Sequence, residues 1–304
     1  MTIPDIPGQE GRTILITGAN SGLGLRSAEA LAAKGARVIL ACRNAERAAR
    51  AWDEVAALAS GPPPVTVACD LADLDSVRRA AAEVREVAGP LDVVMNNAGL
   101  MAVPLARTAQ GFESQFGVNH LGHFALTGLL VEGLAPGARV VSTSSHAHRM
   151  GKIRFDDPNW HTGPYSKWLA YGQSKLANLL FVAEGARRAA VAGADVTFVA
   201  AHPGYADNHL QTAAHEQTGA RWKALWMRAL NKVAAQPDRM GALPQLFAAT
   251  MPDVVPNDYW GPGGPAEWRG LPARASRNDA ATNGVVARRL WGLSETLTGV
   301  FWPW

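Results

Sequence analysis

The sequence predicts an α/β chain: one doubly wound parallel sheet with helices on both faces. Three features point to it. Short apolar runs recur along the chain, each followed by residues at helical spacing. The first run ends in a turn holding Gly18, Gly22 and Gly24. Polar side chains then collect just after the runs, at the strand ends where ligands bind in such sheets.

In chain order, the first strand covers 14–16 and the helix after the glycine turn carries Ala28, Leu31 and Ala32 on one face. Gly18 lets the chain bend tightly, Gly22 lets a ligand approach the backbone, and Gly24 lets the helix lie close to the strand. Free N–H groups and the positive dipole end of that helix suit a pyrophosphate, which also puts Asn20, Ser21 and Leu23 beside the ligand. A second strand is expected at 37–42 and a helix at 45–58, stopped by Ser60, Gly61 and three prolines. A strand at 65–69, a helix at 73–88, a strand at 91–95 and a long helix at 108–132 follow. The series ends with a strand at 139–143, a helix at 171–190 and a strand at 195–200. Apolar runs separated by helices imply parallel strands joined by right-handed crossovers.

The 304 residues allow one large domain or two small ones. One is favoured: a core over 12–205, a mobile lid at 205–236 and a C-terminal extension at 237–304 on the substrate side. Net charge is +3 with Lys and Arg scattered, which fits a small anionic ligand and shows no basic-aromatic stripe for nucleic acid. Cys42 and Cys69 end apolar runs and read as buried reduced thiols. The N-terminus has no basic or apolar leader pattern, and no apolar run reaches the ~18 residues of a membrane span. A soluble, cytoplasmic protein is expected, with subunit number open and a homo-oligomer among the outcomes.

Three motifs in this order, Thr17-Gly18-x-x-x-Gly22-x-Gly24, Asn96-Asn97-Ala98-Gly99 and Tyr171-x-x-x-Lys175, resemble the short-chain dehydrogenase/reductase family. The resemblance implies a Rossmann-type sheet, a nicotinamide dinucleotide and hydride transfer between a carbinol and a carbonyl carbon. Arg43 and Asn44 follow the second strand, where an acid usually selects the cofactor lacking a 2′-phosphate. An Arg there pairs with that phosphate instead, so NADP(H) is preferred and NAD(H) left open. Asp70 and Leu71 occupy the adenine position in the family, although Asp70 or Asp73 could equally cap the next helix. Asn97, Ala98 and Gly99 would lie under the adenosine ribose, with Val118 close by.

Tyr171 and Lys175 stand four residues apart on one helix face. A phenol titrates near 10, so bringing it to neutrality takes about three units, or about 4 kcal/mol; a neighbouring cation is one source. By resemblance Tyr171 is general acid or base, Lys175 lowers its pKa and holds the nicotinamide ribose, and Ser145 polarises the substrate oxygen, with Ser144 the competing assignment. Asn119 matches the family's asparagine, which holds a water linking Lys175 to solvent; a buried amide patching a helix kink is the other reading. Pro203 and Gly204 would meet the nicotinamide. The family's Thr five residues after that proline is here Asn208.

More narrowly, the wording around Arg43, His120, Tyr171 and Tyr205 resembles the retinol dehydrogenase and protochlorophyllide reductase branch. All tryptophans but Trp52 follow residue 159, so an apolar or aromatic substrate is expected, against ordinary packing or a subunit contact. Trp222 and Trp226 fall in the lid, and His146 and His148 are further candidate substrate contacts. His120 and His123 share a helix face, but neither histidine pair has a carboxylate or cysteine at ligand spacing, so no metal is expected. Two other functions stay open: a nucleotide-binding sensor without turnover, and C=C reduction or epimerisation on the same frame.

Overall fold

A computed structural model describes residues 5–204 and 238–304. The proposed lid at 205–236, with Asn208, Trp222 and Trp226, lies outside the described residues.

The chain builds one eight-stranded sheet in the order β3-β2-β1-β4-β5-β6-β7-β8. The strands are β1 (Thr13–Thr17), β2 (Arg37–Cys42), β3 (Val65–Ala68), β4 (Leu91–Asn96), β5 (Leu134–Thr143), β6 (Val196–Ala201), β7 (Tyr259–Pro262) and β8 (Pro272–Arg274). All neighbours pair parallel except β7 and β8. The chain runs outward through β1, β2 and β3, then returns to place β4 against β1. That reversal opens a crevice at the carboxyl ends of β1 and β4.

Side-chain alternation divides the interior between the two faces. Leu15, Val94 and Val140 enter one core; Ile14, Ile16, Val93, Met95 and Val141 enter the other. Helices α1 (Gly22–Ala32) and α2 (Ala45–Ala56) cover the second core, and α3 (Leu74–Ala88) covers the first. The helix expected over 108–132 starts later, because the buried carboxylate of Glu113 accepts from the amides of Gln115 and Phe116 and caps the chain there. This α4 runs through Ser114–Phe116, a π turn at Gly117–Leu121, and Gly122–Leu130. Asn119 sits inside the π turn. Helix α5 (Lys167–Ala192) begins before Tyr171 because Ser166 caps it. Asp73 caps α3, while Asp70 accepts from the Ala72 amide in the preceding turn.

The C-terminal segment adds what the apolar pattern did not predict. β7 and β8 extend the sheet, α6 (Leu243–Thr250) covers its second face, and α7 (Gly284–Thr298) packs on α5. Trp291 of α7 stacks on Phe181 at 5.6 Å and meets Phe124 and Trp302 edge-on at 5.1 and 4.8 Å. Trp302 and Trp304 complete this aromatic cluster against Phe198. Packing therefore accounts for Trp291, Trp302 and Trp304. Trp291→Ala should cost about 3–5 kcal/mol by urea unfolding, the range for removing a buried tryptophan; a loss below about 1 kcal/mol would show that the cluster does not hold α7 in place.

Candidate active site

The crevice between β1 and β4 is shaped by close backbone approach. A Cβ on Gly18, whose φ is +64°, would lie 3.0 Å from the Ala98 Cβ. One on Gly24 would collide with the Gly18 carbonyl and lie 2.5 Å from the Asn97 amide nitrogen. Thr17 stitches the two strands: its Oγ1 accepts from the Asn97 and Ala98 amides at 3.0 Å each, and its carbonyl accepts from Asn97 Nδ2 at 2.9 Å. Helix α1 starts at Gly22 with no side-chain cap on its first amides and no acid in its first turn. An anion is the natural partner of such an end.

The crevice holds about 380 Å³. Gly18, Asn20, Ser21, Gly22, Leu23 and Gly24 line it along the first turn, and Arg43, Asn44, Asp70 and Leu71 along the next two strand ends. Asn97, Ala98, Gly99 and Val118 close the far side. Arg47, in the first turn of α2, also lines it, a residue not picked out from the sequence. Asn44 Oδ1 is committed to the Arg47 amide at 2.8 Å as the cap of α2. Cys42 and Cys69 are free, buried thiols, pushed up to about 11 and about 12 by burial.

Beyond Gly99 the chemistry changes from backbone to side chain. A Cβ on Gly99 would sit 3.1 Å from Asn119 Oδ1 and 3.4 Å from Lys175 Nζ, so the ammonium abuts the crevice. Lys175 donates to the Thr143 carbonyl at 3.0 Å and lies 5.7 Å from the Tyr171 ring centroid. Ser144 turns inward and donates to the Lys175 carbonyl at 2.8 Å, whereas Ser145 lies beside the Tyr171 phenol and favours its charged form. Strand alternation thus separates the two serines, and Ser145 is the one facing Tyr171.

Burial governs the electrostatics of the pair. Burial pushes Tyr171 up to about 12, opposed only in part by the neighbouring Ser145. Burial also pushes Lys175 down to about 8. Both charged forms lose solvation, and that loss sets the direction of both shifts.

The amide of Asn119 is also more committed than a water-holding role needs. Nδ2 donates to the Leu100 carbonyl at 2.9 Å and to Ser174 Oγ at 2.8 Å, and Oδ1 accepts from the Leu100 amide at 2.7 Å. It braces the loop after β4 against α5. The two helix histidines part company: His120 bonds Ser294 Oγ at 2.8 Å, whereas His123 links Thr17 Oγ1 at 2.8 Å to the Asn119 carbonyl at 3.1 Å. Burial drops them to about 3 and about 4, so both are neutral at pH 7.

His148, a candidate substrate contact, is turned inward. It is fully buried, its Nδ1 lies 2.7 Å from the Ser145 carbonyl, and burial pushes it down to about 4; it supports the serine from beneath. His146 is half-buried with Nε2 3.0 Å from Glu267 Oε2. Gly204, at φ +68°, turns the chain after Pro203 and donates its N–H to His202 Nδ1 at 3.1 Å. Glu267 and His202 were not singled out from the sequence as site residues. Among the described residues no helix is long and apolar enough to cross a membrane.

A protein-family model described as short chain dehydrogenase matches residues 12–219. Human retinol dehydrogenase 13 is 38% identical, the match covering 96% of this chain and 86% of that protein. Mouse retinol dehydrogenase 14 is 39% identical over 95% and 86% of the two chains. A crystal structure of a putative uncharacterized protein from Mycobacterium paratuberculosis superposes with TM-score 0.83 at 41% identity, covering 100% of this chain and 99% of that one. A short chain dehydrogenase from Burkholderia cenocepacia in complex with NADP gives TM-score 0.61 at 26% identity, covering 79% and 91%.

The buried ammonium has a measurable consequence. Lys175 titrates near 8 in the folded chain and near 10.5 unfolded, so below about pH 8 both states carry the proton and the native state bears the full cost of a buried charge. That cost shrinks as the folded group deprotonates, and is gone above 10.5. Lys175→Met should therefore be about 2–3 kcal/mol more stable than the parent at pH 7, with the gap closing toward pH 10. Urea melts at the two pH values measure it; a gap independent of pH would contradict the buried charge.

Proposed function

The chain belongs to the short-chain dehydrogenase family, and from that premise we propose that it is an NADP(H)-dependent enzyme interconverting a carbonyl and an alcohol on a hydrophobic or aromatic small molecule. Membership itself makes it an oxidoreductase acting on CH–OH or C=O groups, with a nicotinamide cofactor. The observation that carries the finer reading is the position of the Lys175 ammonium. It abuts Gly99 of the crevice on one side and the Tyr171–Ser145 pair on the other.

The crevice suits a dinucleotide: glycines where a Cβ would fill the cradle, uncapped helix amides for a pyrophosphate, and no acid in the first turn of α1. Arg43 and Arg47 at its rim support the form bearing a 2′-phosphate, which a guanidinium grips in bidentate fashion. Asp70 and Leu71 would border the adenine, and Asn97, Ala98 and Gly99 the ribose beside it. Lys175 would hold the hydroxyls of the nicotinamide ribose, while Pro203, Gly204 and, from the sequence alone, Asn208 would meet the nicotinamide end.

When bound, the nicotinamide supplies or accepts the hydride. The protein's part is to hold the substrate oxygen and handle one proton. Ser145 Oγ donates a hydrogen bond to that oxygen, and Tyr171 Oη delivers its proton there in reduction and takes it back in oxidation. A phenol pushed up to about 12 is protonated at neutral pH, the state that reduction requires. Oxidation needs the phenolate, which Lys175 and the positive charge of an oxidised nicotinamide favour together. The hydrophobic substrate class rests on relatives named for retinol, an apolar alcohol, and on half-exposed Trp168, whose ring meets that of Tyr171 edge-on at 6.3 Å.

The test is a panel of hydrophobic aldehydes, ketones and enones with NADPH and NADH, read by cofactor oxidation. Carbonyl turnover is expected; NADPH binding without turnover of any carbonyl would favour a sensor instead, and enone turnover alone would favour C=C reduction. Tyr171→Phe should lower kcat at least about 10³-fold while leaving NADPH affinity within about threefold, and unchanged turnover would remove Tyr171 from its role. Arg43→Asp should weaken NADPH by about tenfold or more and NADH by no more than about twofold. Equal effects on the two would rule out the phosphate contact.

A further inference from the structure

Two neighbouring strands of the sheet deliver their trailing residues to one carboxylate. His146 follows Ser145 at the end of β5, His202 ends the turn into Pro203 and Gly204 after β6, and Glu267 comes from the connection between β7 and β8. Glu267 Oε2 lies 3.0 Å from His146 Nε2 and 3.2 Å from His202 Nε2. The first is a hydrogen bond; the second is a bent contact on which a buried N–H leans. Glu267 Oε1 accepts from the Ser276 amide at 2.9 Å and the Ser276 hydroxyl at 2.6 Å. We propose that Glu267 is a positioning residue for the carbonyl–alcohol chemistry, a clasp that fixes the Ser145–His146 turn relative to the Pro203–Gly204 turn. It rests on the roles proposed above for Ser145, Tyr171 and the nicotinamide end of the site.

Backbone geometry is built around the same contact. Ala266 and Glu267 both adopt left-handed conformations, φ +52° and +56°, which side-chain-bearing residues hold only when surrounding bonds require it. Gly204 rests on the clasp's main chain: a Cβ there would strike the Trp268 carbonyl and come within 3.0 Å of the Glu267 carbonyl. Gly261 of β7 leaves room for the His202 ring, since a Cβ at that position would run into Nε2. The His146 and His202 rings lie 4.5 Å apart between centroids. Glu267 is held well below the usual carboxylate range, chiefly by His202, so the clasp is anionic throughout the working pH range.

Two histidines and a carboxylate with ligand atoms within 4.8 Å of one another also have the composition of a divalent-cation site. The proton positions decide against that reading. The Gly204 amide donates to His202 Nδ1, so the neutral ring carries its hydrogen on Nε2, the atom facing Glu267. A protonated Nε2 offers no lone pair to a metal, and a ligating histidine would instead donate through Nδ1. The cluster is a set of donors around an acceptor.

Gln is a discriminating substitution because its amide cannot serve both sides. With its oxygen toward the histidines, its NH2 confronts the Ser276 amide; turned round, its NH2 confronts His202 Nε2–H, whose tautomer the Gly204 amide has already set. Glu267→Gln should reduce kcat about 10- to 100-fold, the scale of a misplacement of about 1 Å. The primary deuterium isotope effect on kcat with 4-deuterated NADPH should rise, NADPH affinity should stay within about threefold, and Glu267→Asp should recover part of kcat. A kcat within twofold of the parent with an unchanged isotope effect, whatever the melting temperature does, would overturn the clasp. Should Glu267→Gln not fold, His146→Phe removes one bond from the same oxygen, and a severalfold kcat loss with a raised isotope effect supports the clasp where parent values overturn it. Tyr171→Phe measured alongside separates the two readings: an active Tyr171→Phe sinks the catalytic assignment itself, whereas an inactive one beside a parent-like Glu267→Gln sinks the clasp alone. Dialysis against EDTA should leave parent turnover intact; loss restored by Zn²⁺ would replace the clasp with a metal site.

Discussion

One chain of hydrogen bonds joins the first glycine turn to helix α5. Thr17 at the end of β1 holds the Asn97 and Ala98 amides and meets His123 of α4. His123 reaches the Asn119 carbonyl, Asn119 reaches Leu100 and Ser174, and Ser174 returns to the Tyr171 carbonyl at 2.8 Å. The links from Thr17 through His123 and Asn119 to Ser174 and Tyr171 are buried, so breaking one of them would leave a polar group without water to replace its partner. The crevice and the phenol are therefore set relative to each other by a path of specific bonds. The π turn of α4 is part of it, since Asn119 and His123 both lie within or just past that irregular stretch.

Burial does two opposed things at the site. It keeps the Tyr171 proton on at neutral pH, which suits proton donation, and it holds Lys175 close to its titration point. The ammonium is a destabilising group: Lys175 is 4% exposed, and among the described residues its hydrogen bond goes to a carbonyl already shared with Asn178. No carboxylate neutralises it in that bond. Such a group is costly to the folded chain and useful to an anionic or hydroxyl-rich ligand.

The parts legible in the sequence are those whose physics is local. A glycine at φ +64° or +50° is needed wherever the chain turns from β1 into α1, and Gly18 and Gly22 carry that requirement on their face. Tyr171 and Lys175 announce themselves by helical spacing, whereas Arg47 shares no helix with Arg43 and is brought beside it only by the turn into α2. What depends on tertiary pairing was hidden. Tyr259–Pro262 forms β7 only because Tyr259 and Trp260 pair with Ala200 and Ala201, and nothing in a short segment ending in Gly and Pro says so. His148 reads like a polar residue near a site, yet its ring is turned into the core beneath Ser145. The start of α4 was misplaced because Glu113 looks like a surface acid until its carboxylate is seen capping two buried amides.

The C-terminal segment shows why fold motifs and site residues need not come from the same stretch. Its far end is a packing device: Arg188 of α5 stacks over Trp291 at 4.7 Å and donates to the Trp304 carbonyl at 3.2 Å, fastening the last residues to α5. Its nearer part meets the opposite end of that helix's neighbourhood, where Gly261 makes room for His202 and Glu267 gathers two histidines 121 and 65 positions earlier in the chain. Both attachments act on α5 or on the strand ends facing it, one through apolar contact and one through charge. A parallel sheet puts every strand's carboxyl end on one edge, so a late hairpin can complete a site whose first half was laid down by the first glycine turn. The strain at Ala266 and Glu267 is what that completion requires, because the hairpin must double back to point a carboxylate at residues it does not follow in sequence.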